Sequence, residues 1–284
     1  MEGYTISIST RRLIEAKHRD SVLSAAFGLH FAIKHAFDHA LSVWKAETSA
    51  SSDDWVNLED FVRASYLDLS ESDYTPHGLP PYAIPFFAWG TFDFDAHTFQ
   101  ARSASWWHLL DMAAPRPSHI IPSTLFVPYA RTSVTRSENV VKGFKRTTLW
   151  FVRCDGGLGV PVEGNRPLLW HGAKEFRRER KTMKIKLSWP GYDDEWEKQI
   201  RLMSDAGDRS ICRLAGLVAN KVRDFVCDHD PSFGHPIGTH SRWRIGSHAG
   251  QIRAGDILLL GIALVSDGAA MPILQVRDDF VFAS

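Results

Sequence analysis

Eight of the fourteen prolines in this chain fall between Tyr74 and Pro128, and none interrupts the run from Thr10 to Glu47. Proline lacks a backbone N–H and fixes φ, so long helices are confined to the N-terminal part. The middle is left to extended segments, turns and edge strands. Tyr4–Ile8 alternates as a short strand, and Thr10 then stands where a helix N-cap is expected. Leu23, Ala26, Phe27, Ile33, Phe37, Leu41 and Trp44 recur at helical spacing. Ser21, Ser24, Gly28, Lys34, His35, Asp38 and Ser42 take the other side, and a bend is expected near Asp20. After the polar ETSASSDD, Asp53 or Asp54 caps a second helix over Trp55–Leu67.

The proline-rich middle is dense in Phe, Trp and Tyr, which marks it as packed rather than as a free linker. Beyond it, Thr147–Arg153 and Gly159–Val162 flank CDGG as a β-hairpin, with Asp-Gly-Gly supplying positive φ. Met183–Trp189 and Trp196–Met203 alternate on either side of PGYDDE. Asp208 is placed to cap a helix whose apolar face is Ile211, Leu214, Ala215, Val218, Val222, Phe225 and Val226. The run ILLLGIALV, the turn SDG and the strand MPILQV close the chain. The fold class expected is α+β: a helical N-terminal part (1–72), a central β-rich region (73–182) and a C-terminal hairpin–helix–strand module of β-grasp type (183–284). The last two are candidates for one continuous domain.

Composition limits the function classes. Apolar residues at 44% and charged residues at 23% describe a globular chain. Lys plus Arg equals Asp plus Glu at 33 each, which argues against a bulk electrostatic partner such as duplex nucleic acid or an anionic membrane. Cys154, Cys212 and Cys227 are odd in number and far apart, which fits a reducing compartment, cytoplasmic or nuclear. MEGYTISIST has no secretory pattern, and the apolar run Ile257–Val265 is far too short to span a membrane.

The segments KIKLSWPGYDDEWEKQIRL, LWFVRCDGGLGVPV and VSDGAAMPILQV resemble a group of uncharacterised proteins from mushroom-forming fungi. The resemblance covers residues 80–284. It implies a cytoplasmic or nuclear fungal protein, and it carries over no activity and no site residues.

Three constellations could carry chemistry. CDHDPSFGHPIGTHSRW holds Cys227, His229, Asp230, His235 and His240, ligand types at loop spacings compatible with zinc or another divalent metal. The competing reading is a polar loop, with Pro231 ending the helix before it. Asp93, Asp95 and His97 alternate in GTFDFDAHTF and can share one strand face as a catalytic acid–base set, with Trp89, Trp106, Trp107 and His108 walling a ligand pocket. An exposed strand face explains the same pattern. His35 and His39 are spaced i, i+4 but lack the HExxH glutamate, so a solvated helix face is expected, with His30 on the apolar side. The basic run Lys174–Lys186 reads as a guard on a strand edge rather than a phosphate track. Cys154 reads as structural, and no phosphate loop or nucleophile elbow is present.

The sequence therefore favours a non-catalytic interaction or regulatory protein that binds a protein partner or small ligand through an aromatic-rich surface, with no cofactor. The alternative is a metal-assisted or acid–base hydrolase built on the 227–240 loop.

Overall fold

Two interruptions divide the N-terminal helical run into three. In the computed structural model, residues 7–50, 57–67, 77–88, 98–100, 106–126, 147–176, 180–192, 196–204, 207–231 and 240–283 are described. Helix α1 (Ile8–His18) starts at Ser7, whose hydroxyl accepts from the N–H of Thr10, so the cap lies three residues before the one expected. Ile8, expected to end a strand, is already helical, and Thr10 is fully buried inside α1. The Glu59 carboxylate accepts from the Ser7 N–H and fixes that start; these bonds hold its pKa below the usual carboxylate range.

The chain turns at Arg19–Asp20, as the sequence suggests, and Ser21 caps α2 (Val22–Phe27). Gly28 then takes φ +88°, its N–H bonded to the Ser24 carbonyl, and α3 (Leu29–Ala50) begins again beyond it. That second break was not expected, and it resets the helical phase. The buried side of α3 is Phe31, Ala32, Ala36, Ala40 and Val43, while Ile33, Phe37, Leu41 and Trp44 pack only partly buried against the core. Helix α4 (Leu58–Leu67) is capped by Asn57, which accepts from the Asp60 N–H at 2.9 Å; Asp53 and Asp54 lie outside the described residues.

Strands β1 (Ala83–Ala88), β2 (Thr98–Gln100) and β3 (Trp106–Met112) form an antiparallel sheet in the order β1-β3-β2. Phe86 and Leu110 join α1, α3 and α4 in one apolar cluster with Ile14, Phe61 and Tyr66.

A second sheet is built from β4 (Thr147–Trp150), β5 (Val160–Pro161), β6 (Thr182–Lys186), β7 (Glu197–Arg201), β8 (Ile257–Ser266) and β9 (Ala269–Val276). The order is β4-β8-β9-β6-β7, with β6 parallel to β9 and the other pairs antiparallel. The arms beside CDGG do turn back on each other, through a Val152–Leu158 bridge with Gly156 at φ +82°. They also both run along β8: β4 pairs with its far half, and β5 resumes the same edge at Leu259. Gly261 permits this close approach, because a Cβ there would lie 2.5 Å from the Leu149 carbonyl oxygen.

Helix α5 (Ile211–Asp228) is capped by Ser210 rather than Asp208; Asp208 instead accepts from the Ser210 N–H at 2.7 Å. All seven apolar residues expected on its inner face are buried. The sequence β6–β7 hairpin, α5, β8, β9, with the last strand parallel to the first, has the strand order of a β-grasp. The molecule is α+β.

The chain divides into two compact units, Met1–Pro117 and Ser118–Ser284, and the sequence-drawn boundaries at 72 and 182 fall inside them. Among the described residues no helix is long and apolar enough to cross a membrane.

Candidate functional site

The helix before the 227–240 loop ends at Asp228, ahead of Pro231 as the polar-loop reading expects. Cys227 and Asp228 sit exposed in the last turn of α5, and His229 is its C-cap. His229 Nδ1–H donates to the Phe225 carbonyl at 2.8 Å. Its ring lies 4.1 Å from that of Phe225 and edge-on to Tyr192 at 5.3 Å. The half-buried imidazole thus has a local role that needs no metal: it ends the helix and covers Phe225. Asp230 is half-buried, His240 is exposed ahead of a short 3-10 turn, and His235 lies outside the described residues. Among the described residues no three His, Cys, Asp or Glu side chains come together to hold a metal ion.

Asp93, Asp95, His97 and Trp89 also lie outside the described residues. Their proposed neighbours open β3. His108 is fully buried opposite Phe86, with its ring 5.1 Å from that of His39. Trp107 is buried against Phe87 at 6.0 Å, and Trp106 is half-buried. Of these side chains Trp107 and His108 lie in the interior, and Trp106 keeps partial exposure. The phase reset at Gly28 corrects the helix histidines as well: His35 is buried and stacked on Phe31, His39 is half-buried, and His30 is exposed.

A polar chain that no motif announces lies in the first unit. Tyr66 O–H donates to His18 Nε2 at 3.0 Å, and His18 Nδ1–H donates to Asp111 Oδ2 at 3.0 Å. Asp111 Oδ1 accepts the N–H of Leu23 at 3.1 Å. The donor order is that of a hydroxyl–imidazole–carboxylate triad. All three side chains, however, have zero exposure. Burial, and then the Asp111 charge, push the Tyr66 hydroxyl far above its ordinary range, so it keeps its proton. Sealed in this way, the chain ties α1, α2 and α4 to β3.

β7 is one of the two end strands of the second unit's sheet. Leu187 N–H donates to the Trp196 carbonyl and Leu202 N–H to that of Lys181, so residues 196, 198, 200 and 202 turn their backbone groups toward β6. By alternation Glu197, Gln199 and Arg201 turn theirs outward, and the Arg201 carbonyl is reached from that side by Arg213 Nη2 at 3.5 Å. No described strand lies beyond β7.

No protein-family model, curated protein or solved structure matches this chain.

Two lysines of the basic run Lys174–Lys186 are answered within the sheet. Lys184 and Lys186 reach the two carboxylate oxygens of Glu197 at 2.6 and 2.5 Å, and Lys186 also lies over the Phe126 ring at 3.7 Å. These lysine bonds hold the Glu197 carboxyl below its ordinary range. The edge strand is β7, one strand beyond the run itself, and Lys198 and Arg201 are exposed on it. Cys154 is exposed near the tip of the hairpin that follows β4, where Arg153 clasps Asp155 in two bonds and holds its pKa at about 2. Cys212 and Cys227 are likewise free and exposed.

Proposed function

We propose that this chain is a non-catalytic interaction protein of the cytoplasm or nucleus that receives an extended segment of a protein partner along β7. The observation that carries the reading is the outward N–H and C=O groups of Glu197 and Gln199 on β7, one of the two end strands of the sheet. A sheet edge of this kind binds by strand addition, with main-chain hydrogen bonds supplying affinity and alternate side chains supplying specificity. Three free, exposed cysteines support a reducing compartment. The polar groups that suggested catalysis have other roles where they are described: His229 caps a helix, and His108 and the Tyr66–His18–Asp111 chain are sealed in the core.

The reading moves the binding surface from the aromatic middle to the β-grasp edge and requires no cofactor. It is tested by selecting displayed peptides against the immobilised full chain and repeating the binding with Gln199→Pro. Proline at that position removes one outward N–H without touching the ladder to β6. Extended peptides that bind the native chain and lose most of their affinity for Gln199→Pro are expected. Equal binding to both would overturn the reading, as would metal-dependent hydrolysis of simple ester or phosphate substrates.

A further inference from the structure

We propose that the partner segment received along β7 carries an apolar–X–acidic–X–apolar pattern, read between the β7 edge and one flank of α5. The inference rests on the strand-addition reading above and names the chemistry of its occupant. Arg213 Nη2 reaches the Arg201 carbonyl at one end of the strand, and Trp196 Nε1–H donates to Asp228 Oδ2 at 3.4 Å at the other. The helix therefore runs antiparallel to β7 and in line with it. Steps of three and four residues from Arg213 put Leu217, Lys221, Asp224 and Asp228 on that same flank. Leu217 lies one turn, about 6 Å, beyond Arg213, which sets it level with Gln199 and Ile200.

From β7, Trp196, Lys198 and Ile200 turn their side chains toward α5, and Trp196 lies edge-on to Phe225 at 5.4 Å. Trp196 and Leu217 are only partly buried against the core, so apolar surface is left at both ends of the flank. Between them stands the exposed Lys198, its ammonium 5.7 Å from the centre of the Trp196 ring. Lys221 is answered by Asp224 at 2.6 Å, whereas no carboxylate among the described residues answers Lys198. A strand added at Glu197 and Gln199 sends every second side chain to this side. Apolar groups at its two ends meet Trp196 and Leu217, and a carboxylate between them meets Lys198. On the opposite face Glu197 is already held by Lys184 and Lys186, and Arg213 closes the edge at the Arg201 carbonyl. Few main-chain bonds remain to the segment, so selection falls to the α5 side.

The test is fluorescence anisotropy of three end-blocked peptides, GSVSDSVSG, GSVSKSVSG and GSSSDSSSG, with the full chain. GSVSDSVSG is expected to bind the native chain, and the other two about tenfold more weakly or worse. Lys198→Glu should exchange the order of the aspartate and lysine peptides, a reversal that a loss of folding cannot produce. Leu217→Ser, with an unchanged circular dichroism spectrum, should weaken GSVSDSVSG about tenfold. A native chain that does not bind GSVSDSVSG, or that binds the aspartate and lysine peptides equally, overturns the inference, as does a preference that survives Lys198→Glu. Display-selected peptides that need Gln199 yet ignore Lys198→Glu and Leu217→Ser would overturn the pattern while leaving strand addition standing. Binding indifferent to Gln199→Pro would overturn both.

Discussion

Asp111 gathers three hydrogen bonds at zero exposure, from His18 Nδ1–H, the Leu23 N–H and its neighbour Met112 N–H. Removing a carboxylate so placed leaves several donors without a partner or water, whereas removing the Tyr66 hydroxyl strands a single imidazole nitrogen. Asp111→Ala is therefore expected to cost about 3–5 kcal/mol and Tyr66→Phe about 1–2 kcal/mol in urea denaturation. Equal losses would show that the carboxylate does not organise the chain. None of this was legible in the sequence. His18 lies 93 residues from Asp111 and 48 from Tyr66, so no local period links them. The histidines that did form a local pattern, His35 and His39, were assigned to the wrong side of α3. A single glycine at positive φ turned the helix phase after the stripe had begun at Leu23.

At the scale of elements, the β6–β7 hairpin shows how its charges are spent. The lysine bonds to Glu197 lower its folded-state pKa from an ordinary 4.5, so the carboxylate's contribution is complete above that value and vanishes as pH falls through the lowered one. Glu197→Gln is expected to cost about 0.5 kcal/mol at neutral pH, since the pairs are solvent-exposed. The gap between variant and native chain should close as pH drops below 4.5. A gap that persists into acid would mean that the glutamate acts through packing rather than charge. Period-2 and period-3.6 patterns made β6, β7 and α5 readable, down to the seven buried positions of the helix. Helix starts were less so, because Ser7 and Ser210 compete as caps with Thr10 and Asp208 only a few residues away. The division of the β8 edge between β4 and β5 was hidden, because pairing across a hundred residues leaves no mark on either strand.

For the whole molecule, the two compact units each keep a core of their own. The larger apolar cluster draws on residues from Ile121 to Val276, and the other on residues from Ile14 to Leu110. A chain comprising residues 118–284 alone is therefore expected to fold, with one cooperative thermal transition and the near-ultraviolet signature of the buried Trp189, whose indole N–H donates to the Trp243 carbonyl at 2.7 Å. A gradual, non-cooperative melt would show that its core depends on the first unit. The parallel pairing of β6 with β9 bears on how such a chain is made. During synthesis the β6–β7 hairpin and α5 emerge well before β9, so for that interval the inner flank of β6 has no strand beside it. Lys184 and Lys186 sit on the strand that waits. The seam closes only when Ala269 and Ala270 come beside Lys184 and Ile185, which makes the last strand of the chain the one that completes the sheet around β6.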